Sequence, residues 1–199
     1  MKTIVTISGS TQSPSFTARA LARVNDHLAQ SAFTVRTFDG ATLRLDFPGR
    51  PPTEDALQLC DAVKNAAGVV LATPEYHGGL SAMIKLCIEN LGFPSLLAGK
   101  PVALLGVAAG RIGAVKAIEQ LRSMCSHVGA LVVPNAISIA NVRGAFDGAG
   151  VVKDDATEAA LKSLADSLLT FMHDYVCPKY VLEEAVRSGD VSTPWVVTA

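Results

Sequence analysis

Short runs of aliphatic and β-branched residues alternate along the chain with longer segments whose apolar positions recur at helical spacing. The runs are residues 3–7, 33–38, 68–72, 102–105 and 130–133, the last with a resumption through Ile137 and Ile139. The third to fifth runs are continuously apolar rather than alternating. Strands buried on both faces read that way, as in a parallel sheet covered by helices. Between the runs, apolar stripes recur at Leu21, Val24 and Leu28, then at Leu57, Cys60 and Val63. Further stripes are Leu80, Ile84, Cys87 and Leu91, then Ala114, Ile118, Leu121, Cys125 and Val128, and finally Leu161, Leu164, Leu168 and Phe171. Strict β–α alternation predicts an α/β fold: a three-layer, doubly wound, parallel five-stranded sheet in the order 2-1-3-4-5.

Two stretches break the alternation. Residues 39–53 carry Pro48, Pro51 and Pro52 with Gly40 and Gly49, and read as a loop. Residues 178–199, with Pro178, Pro194 and Trp195, follow the last stripe. We expect one domain over residues 1–177 and a C-terminal extension after it, packed or frayed.

The 199 residues are 49% hydrophobic and 18% charged, which supports a large core and not disorder. A net charge of −1 disfavours nucleic acid or an anionic membrane as partner. The opening residues lack a signal-peptide pattern, and no apolar stretch reaches transmembrane length. Four widely spaced cysteines without a CxxC pair predict free thiols in a reducing cytoplasm, and no two histidines stand at metal-ligand spacing.

In an open α/β sheet, ligands bind beyond the carboxyl ends of the strands where the strand order reverses. For the order 2-1-3-4-5, the loops after strands one, three and four meet there. The first runs from Ser8 to Thr17 and carries five hydroxyl side chains before Phe16 and a sixth just after it. It joins a strand to a helix, whose free N–H groups and dipole favour a phosphate. One or two of those hydroxyls would serve as plain helix caps; six in that place point to phosphate binding. The second loop, Thr73-Pro74-Glu75-Tyr76-His77-Gly78-Gly79, offers an aromatic wall and turn amides suited to a flavin ring. A lone His77 also fits a surface turn, and Lys85 fits a solvated or interface ion pair. The third, from Gly106 to Gly113, has G-x-x-x-G-x-x-G spacing. It follows the wrong strand for a dinucleotide fingerprint, and Pro134-Asn135 replaces the expected ribose-binding acid. A glycine-lined edge admitting a planar ring fits better. Arg111 reads equally as a nucleotide phosphate ligand and as a solvated helix-start arginine.

Together these three loops resemble the NADPH-dependent FMN reductase family, flavodoxin-like flavoproteins that include quinone, azo-dye and chromate reductases. The resemblance runs from about residue 2 to residue 135. It rests chiefly on residues 73–79 with Lys85, and on Gly9-Ser10 followed by Ser15-Phe16-Thr17. It implies that Ser10, Gln12, Ser15, Phe16 and Thr17 surround the phosphate of FMN. Pro74, Glu75, Tyr76, His77 and Gly78 would line the isoalloxazine, and Gly110 and its neighbours would close its far side. Gln12 stands where members often carry arginine, which leaves the turn without a fixed charge. The resemblance also implies homodimers or homotetramers and hydride transfer from NADPH or NADH through FMN to free flavin, a quinone, an azo compound or a metal ion. A flavodoxin-like electron carrier and a non-catalytic nucleotide-binding module remain the competing readings.

Overall fold

The structure, a computed structural model, describes residues 2–189. A parallel sheet forms its middle layer. Its strands are β1 (Thr3–Ser8), β2 (Thr34–Asp39), β3 (Ala66–Tyr76), β5 (Pro101–Val107), β6 (Leu131–Val132) and β7 (Ile137–Ile139). A two-residue strand, β4 (Gly79–Leu80), folds back antiparallel on the end of β3. The main path runs β2-β1-β3-β5-β6, with β7 beside the second half of β5. This is the expected flavodoxin-like order 2-1-3-4-5, with the fifth strand interrupted around Pro134 and a hairpin added to the third.

The continuous apolar runs divide residue by residue between the two faces. Ile4, Val70, Ala103 and Leu105 pack under α1 (Phe16–Leu28) and α6 (Asp155–Phe171). Val5, Ile7, Val69, Leu71, Val102 and Leu104 pack under α2 (Glu54–Asn65), α3 (Ala82–Asn90) and α4 (Val115–His127). Side chains of successive strand residues point to opposite faces, so a strand covered on both sides must be apolar at every position. On α2 the structure corrects the expected stripe. Ala56, Leu59, Ala62 and Val63 face the core, whereas Leu57 is exposed and Cys60 half-buried.

A short helix, α5 (Val142–Ala145), follows β7. Helix α6 passes through a π-helical turn, Met172–Val176, into α7 (Cys177–Ser188). The expected domain limit at residue 178 therefore falls inside a helix, and Pro194 and Trp195 lie outside the described residues. No helix among the described residues is long and apolar enough to cross a membrane. Cys87 and Cys125 are buried, and desolvation pushes each thiol up to about 12.

One polar cluster joins α1 to α6. Arg23 donates through Nε and Nη2 to the Glu158 carboxylate, at 2.8 and 2.6 Å, and His27 Nε2 lies 3.0 Å from the same group. The Arg23 hydrogen bonds hold the Glu158 carboxyl below its ordinary value of 4.5. A depressed carboxylate stabilises the fold above that value and loses its contribution as pH falls through the folded-state value. Glu158→Gln should therefore cost about 1 kcal/mol near neutral pH, given partial exposure of the pair. The melting-temperature gap between variant and wild type should close well below pH 4.5.

Candidate functional site

The carboxyl ends of β1, β3 and β5 open onto a cleft of about 260 Å³. The first loop is anchored at Gly9. The Gly9 amide donates to Ala72 O at 2.7 Å, and the Ser81 hydroxyl donates to Gly9 O at 2.6 Å. Ser81 also caps α3, since its Oγ accepts from Ile84 N at 3.2 Å. Its own amide donates to Thr73 Oγ1 at 3.0 Å, and that hydroxyl donates to Pro74 O. One buried network thus fixes the first loop, the end of β3 and the start of α3. Only glycine fits at position 9, because a Cβ there would lie 2.7 Å from Ile84 Cβ.

Beyond Gly9 the chain turns into α1. Ser10 Oγ accepts from Gln12 N, and Ser15 caps α1 by accepting from Ala18 N at 3.2 Å. The Phe16 and Thr17 amides, in the same turn, find no acceptor among the described residues. The Phe16 ring leans on Phe146 with centroids 6.3 Å apart, and the Arg19 guanidinium lies over the ring, 5.4 Å from its centroid.

The end of β3 forms the opposite wall. The expected second loop is partly strand: Pro74 pairs with Val107, and the turn itself is only His77-Gly78. Both turn residues are left-handed, with φ of 51° and 73°, as a two-residue hairpin of type I′ requires. The Glu75 carboxylate accepts from Ala117 N at 3.1 Å, in the first turn of α4, whose own cap residue Ala114 offers no side-chain acceptor. Glu75 thus directs its charge to a helix dipole. Gln120 accepts from Leu80 N and ties β4 to α4.

The third loop differs most from expectation. Gly106 lies within β5, where a Cβ would meet Ala114 Cβ at 2.7 Å, so its role is close helix packing. Ala108, Gly110, Asn141 and Val142 are linked across two loops: Asn141 N donates to Gly110 O and Val142 N to Ala108 O. The loop after β7 therefore belongs to the cleft. Ser10, Gln12, Ser15, Phe16, Thr17, Pro74, Glu75 and Tyr76 line it, with Pro14, Val107, Ala109, Val142 and Arg143. His77, Gly78, Gly110 and Arg111 stand outside that lining. Arg111 is exposed and takes no partner among the described residues. Sequence reasoning misses Val142 and Arg143 because it brings only the loops after strands one, three and four to the cleft. The apolar resumption at Ile137 and Ile139 was the signal that the loop lies later. Lys85 pairs with Glu89 on the surface of α3.

The donor set fits a phosphate at one end of the cleft, and the apolar and aromatic residues at the other fit a planar ring. A doubly wound fold with such a cleft at its switch point defines a flavodoxin-like mononucleotide-binding protein. The family profile described as NADPH-dependent FMN reductase matches residues 2–144. The chain belongs to that family. It is 26% identical over 182 residues to a 2-hydroxy-1,4-benzoquinone reductase from Burkholderia sp, covering 86% of this chain and 96% of that one. It is 25% identical over 184 residues to an FMN-dependent NADPH-azoreductase of Staphylococcus aureus, covering 87% and 96%. Among solved structures it is similar to FerB, a flavoenzyme NAD(P)H:(acceptor) oxidoreductase from Paracoccus denitrificans. That match has 25% identity and a TM-score of 0.71, and covers 88% of this chain and 99% of that one. Family membership favours the reductase over the one-electron carrier and the non-catalytic module.

Ser81→Ala removes the group that satisfies Gly9 O and caps α3. It should destabilise the protein by about 1–3 kcal/mol in urea unfolding, because both partners stay buried.

Proposed function

We propose that this chain is an NAD(P)H-dependent FMN reductase in which the turn from Gly9 to Thr17 holds the FMN phosphate and the end of β3 walls the flavin. The observation that carries this reading is the cleft itself, where capping hydroxyls, two acceptor-free helix amides and an aromatic wall converge. FMN, when bound, would supply the redox chemistry that links the nicotinamide to a second acceptor. The chain supplies position. Ser10, Gln12, Ser15 and Thr17 present uncharged donors, while Phe16 and Pro74 brace the two walls. Tyr76 would flank the ring, with His77, Gly78 and Gly110 close by but outside the cleft lining. Glu75 acts by holding α4 in place, and no side chain is assigned a proton transfer.

At about 260 Å³ the cleft is smaller than most enclosed small-molecule sites. So small a cleft would leave a flavin ring open to a nicotinamide and then to an acceptor. A quinone, an azo compound and free flavin would all fit such an open face, and the exposed Arg111 would be the ligand for a phosphate of the nicotinamide nucleotide. We assign the protein to the cytoplasm on its free thiols and near-neutral charge, without nucleic-acid or membrane partners. A homodimer or homotetramer is expected. The apolar groove that includes Ile88, Met124, Val128 and the 92%-exposed Phe93 is the surface that favours it.

The test is NADPH and NADH oxidation with and without FMN against a panel of quinone, azo and flavin acceptors. Absence of FMN-dependent turnover would overturn the reading. Ser15→Asp keeps a competent helix cap but sets a negative charge beside the phosphate. FMN affinity should fall at least about tenfold by fluorescence titration. Arg111→Ala should raise the NADPH KM about 3- to 10-fold with a smaller effect on NADH and none on FMN affinity.

A further inference from the structure

We propose that Arg143, in the short helix α5 that follows β7, supplies the fixed positive charge that holds the FMN phosphate. This rests on the phosphate site proposed above. The segment from Ser8 to Thr17 contains no lysine or arginine, so its donors are all neutral. Arg143 is the one cation among the residues lining the cleft, and it takes no hydrogen bond or ion pair among the described residues. The only lining carboxylate, Glu75, is engaged at the start of α4 and does not compete for it.

The backbone that carries Arg143 is fixed from both sides. Val142 N donates to Ala108 O at 3.1 Å, Gly144 N to Asn141 O at 2.8 Å, and Lys153 N to Ala145 O at 2.9 Å. Asn141 takes a left-handed conformation, φ 47°, that turns the chain from β7 back over the cleft. The same segment is docked on the start of α1: Phe146 packs against Phe16, and Arg19 Nη1 reaches Asp147 O. Arg143 thus lines the same cleft as Ser15, Phe16 and Thr17, on a segment anchored to the start of α1. A guanidinium there meets phosphate oxygens with planar, paired donors.

The test compares wild-type protein, Arg143→Gln and Arg143→Lys by fluorescence titration with FMN and with riboflavin, which lacks the phosphate. Arg143→Gln should weaken FMN about 10- to 100-fold and leave riboflavin affinity unchanged. Arg143→Lys should recover part of the loss. Added salt should weaken FMN binding more steeply in wild type than in Arg143→Gln. Equal losses for FMN and riboflavin would mark Arg143 as merely structural and overturn the proposal. So would unchanged FMN affinity, including the case in which only the NADPH KM rises. Wild-type protein that binds no FMN would remove the phosphate site and this proposal together. Wild-type binding with an unaffected Arg143→Gln would remove this proposal alone.

Discussion

The cleft depends on one hydroxyl. Ser81 Oγ donates to Gly9 O and accepts from Ile84 N, while the Ser81 amide reaches Thr73. Three separate segments, the turn after β1, the end of β3 and the first turn of α3, are thereby locked at hydrogen-bond distance. Such a network is buried, so each member is costly to leave unsatisfied, and the loops it joins share one rigid frame. The close approach of Gly9 to Ile84 is the steric half of the same constraint. A binding surface made of loops gains its precision from this anchoring, since the loops have little packing of their own.

Most of the fold was legible because its strands are buried on both faces. That burial forces unbroken apolar runs, and the sequence has them at β3 and β5. The fifth strand was harder. Pro134 interrupts the ladder, and only Ile137 and Ile139 hinted that pairing resumes beside β5. Helix α2 was located correctly but rotated, because its core face is built partly from Ala56 and Ala62, which carry a weaker signal than Leu57. The end of β3 was read as a loop on account of Pro74. Proline is tolerated in that position within the strand because it stands at the end of the ladder, next to the β4 hairpin.

The candidate site was legible where chemistry is concentrated in a short segment. The hydroxyl-rich turn and the segment from Pro74 to Tyr76 converge on the cleft, and the resemblance had named them. Glu75 carries a role that sequence could not display. Its partner, the start of α4, is far along the chain, and an uncapped Ala114 gives no sign that its cap comes from elsewhere. Arg143 escaped notice for a related reason. A lone arginine in a polar stretch has no periodicity or motif. Its relevance appears only when backbone bonds between residues 108–110 and 139–142 bring two loops together.

The broken fifth strand has a consequence for how copies of this chain can meet. A long, flat, hydrogen-bonding border would recruit strands from other molecules and extend the sheet from one chain to the next. Here that border is cut into a two-residue piece and a three-residue piece with a proline between them. Neither fragment is long enough to template a stable ladder. Strand addition along this margin is therefore disfavoured, and the unbroken edge of the sheet is the opposite one, β2.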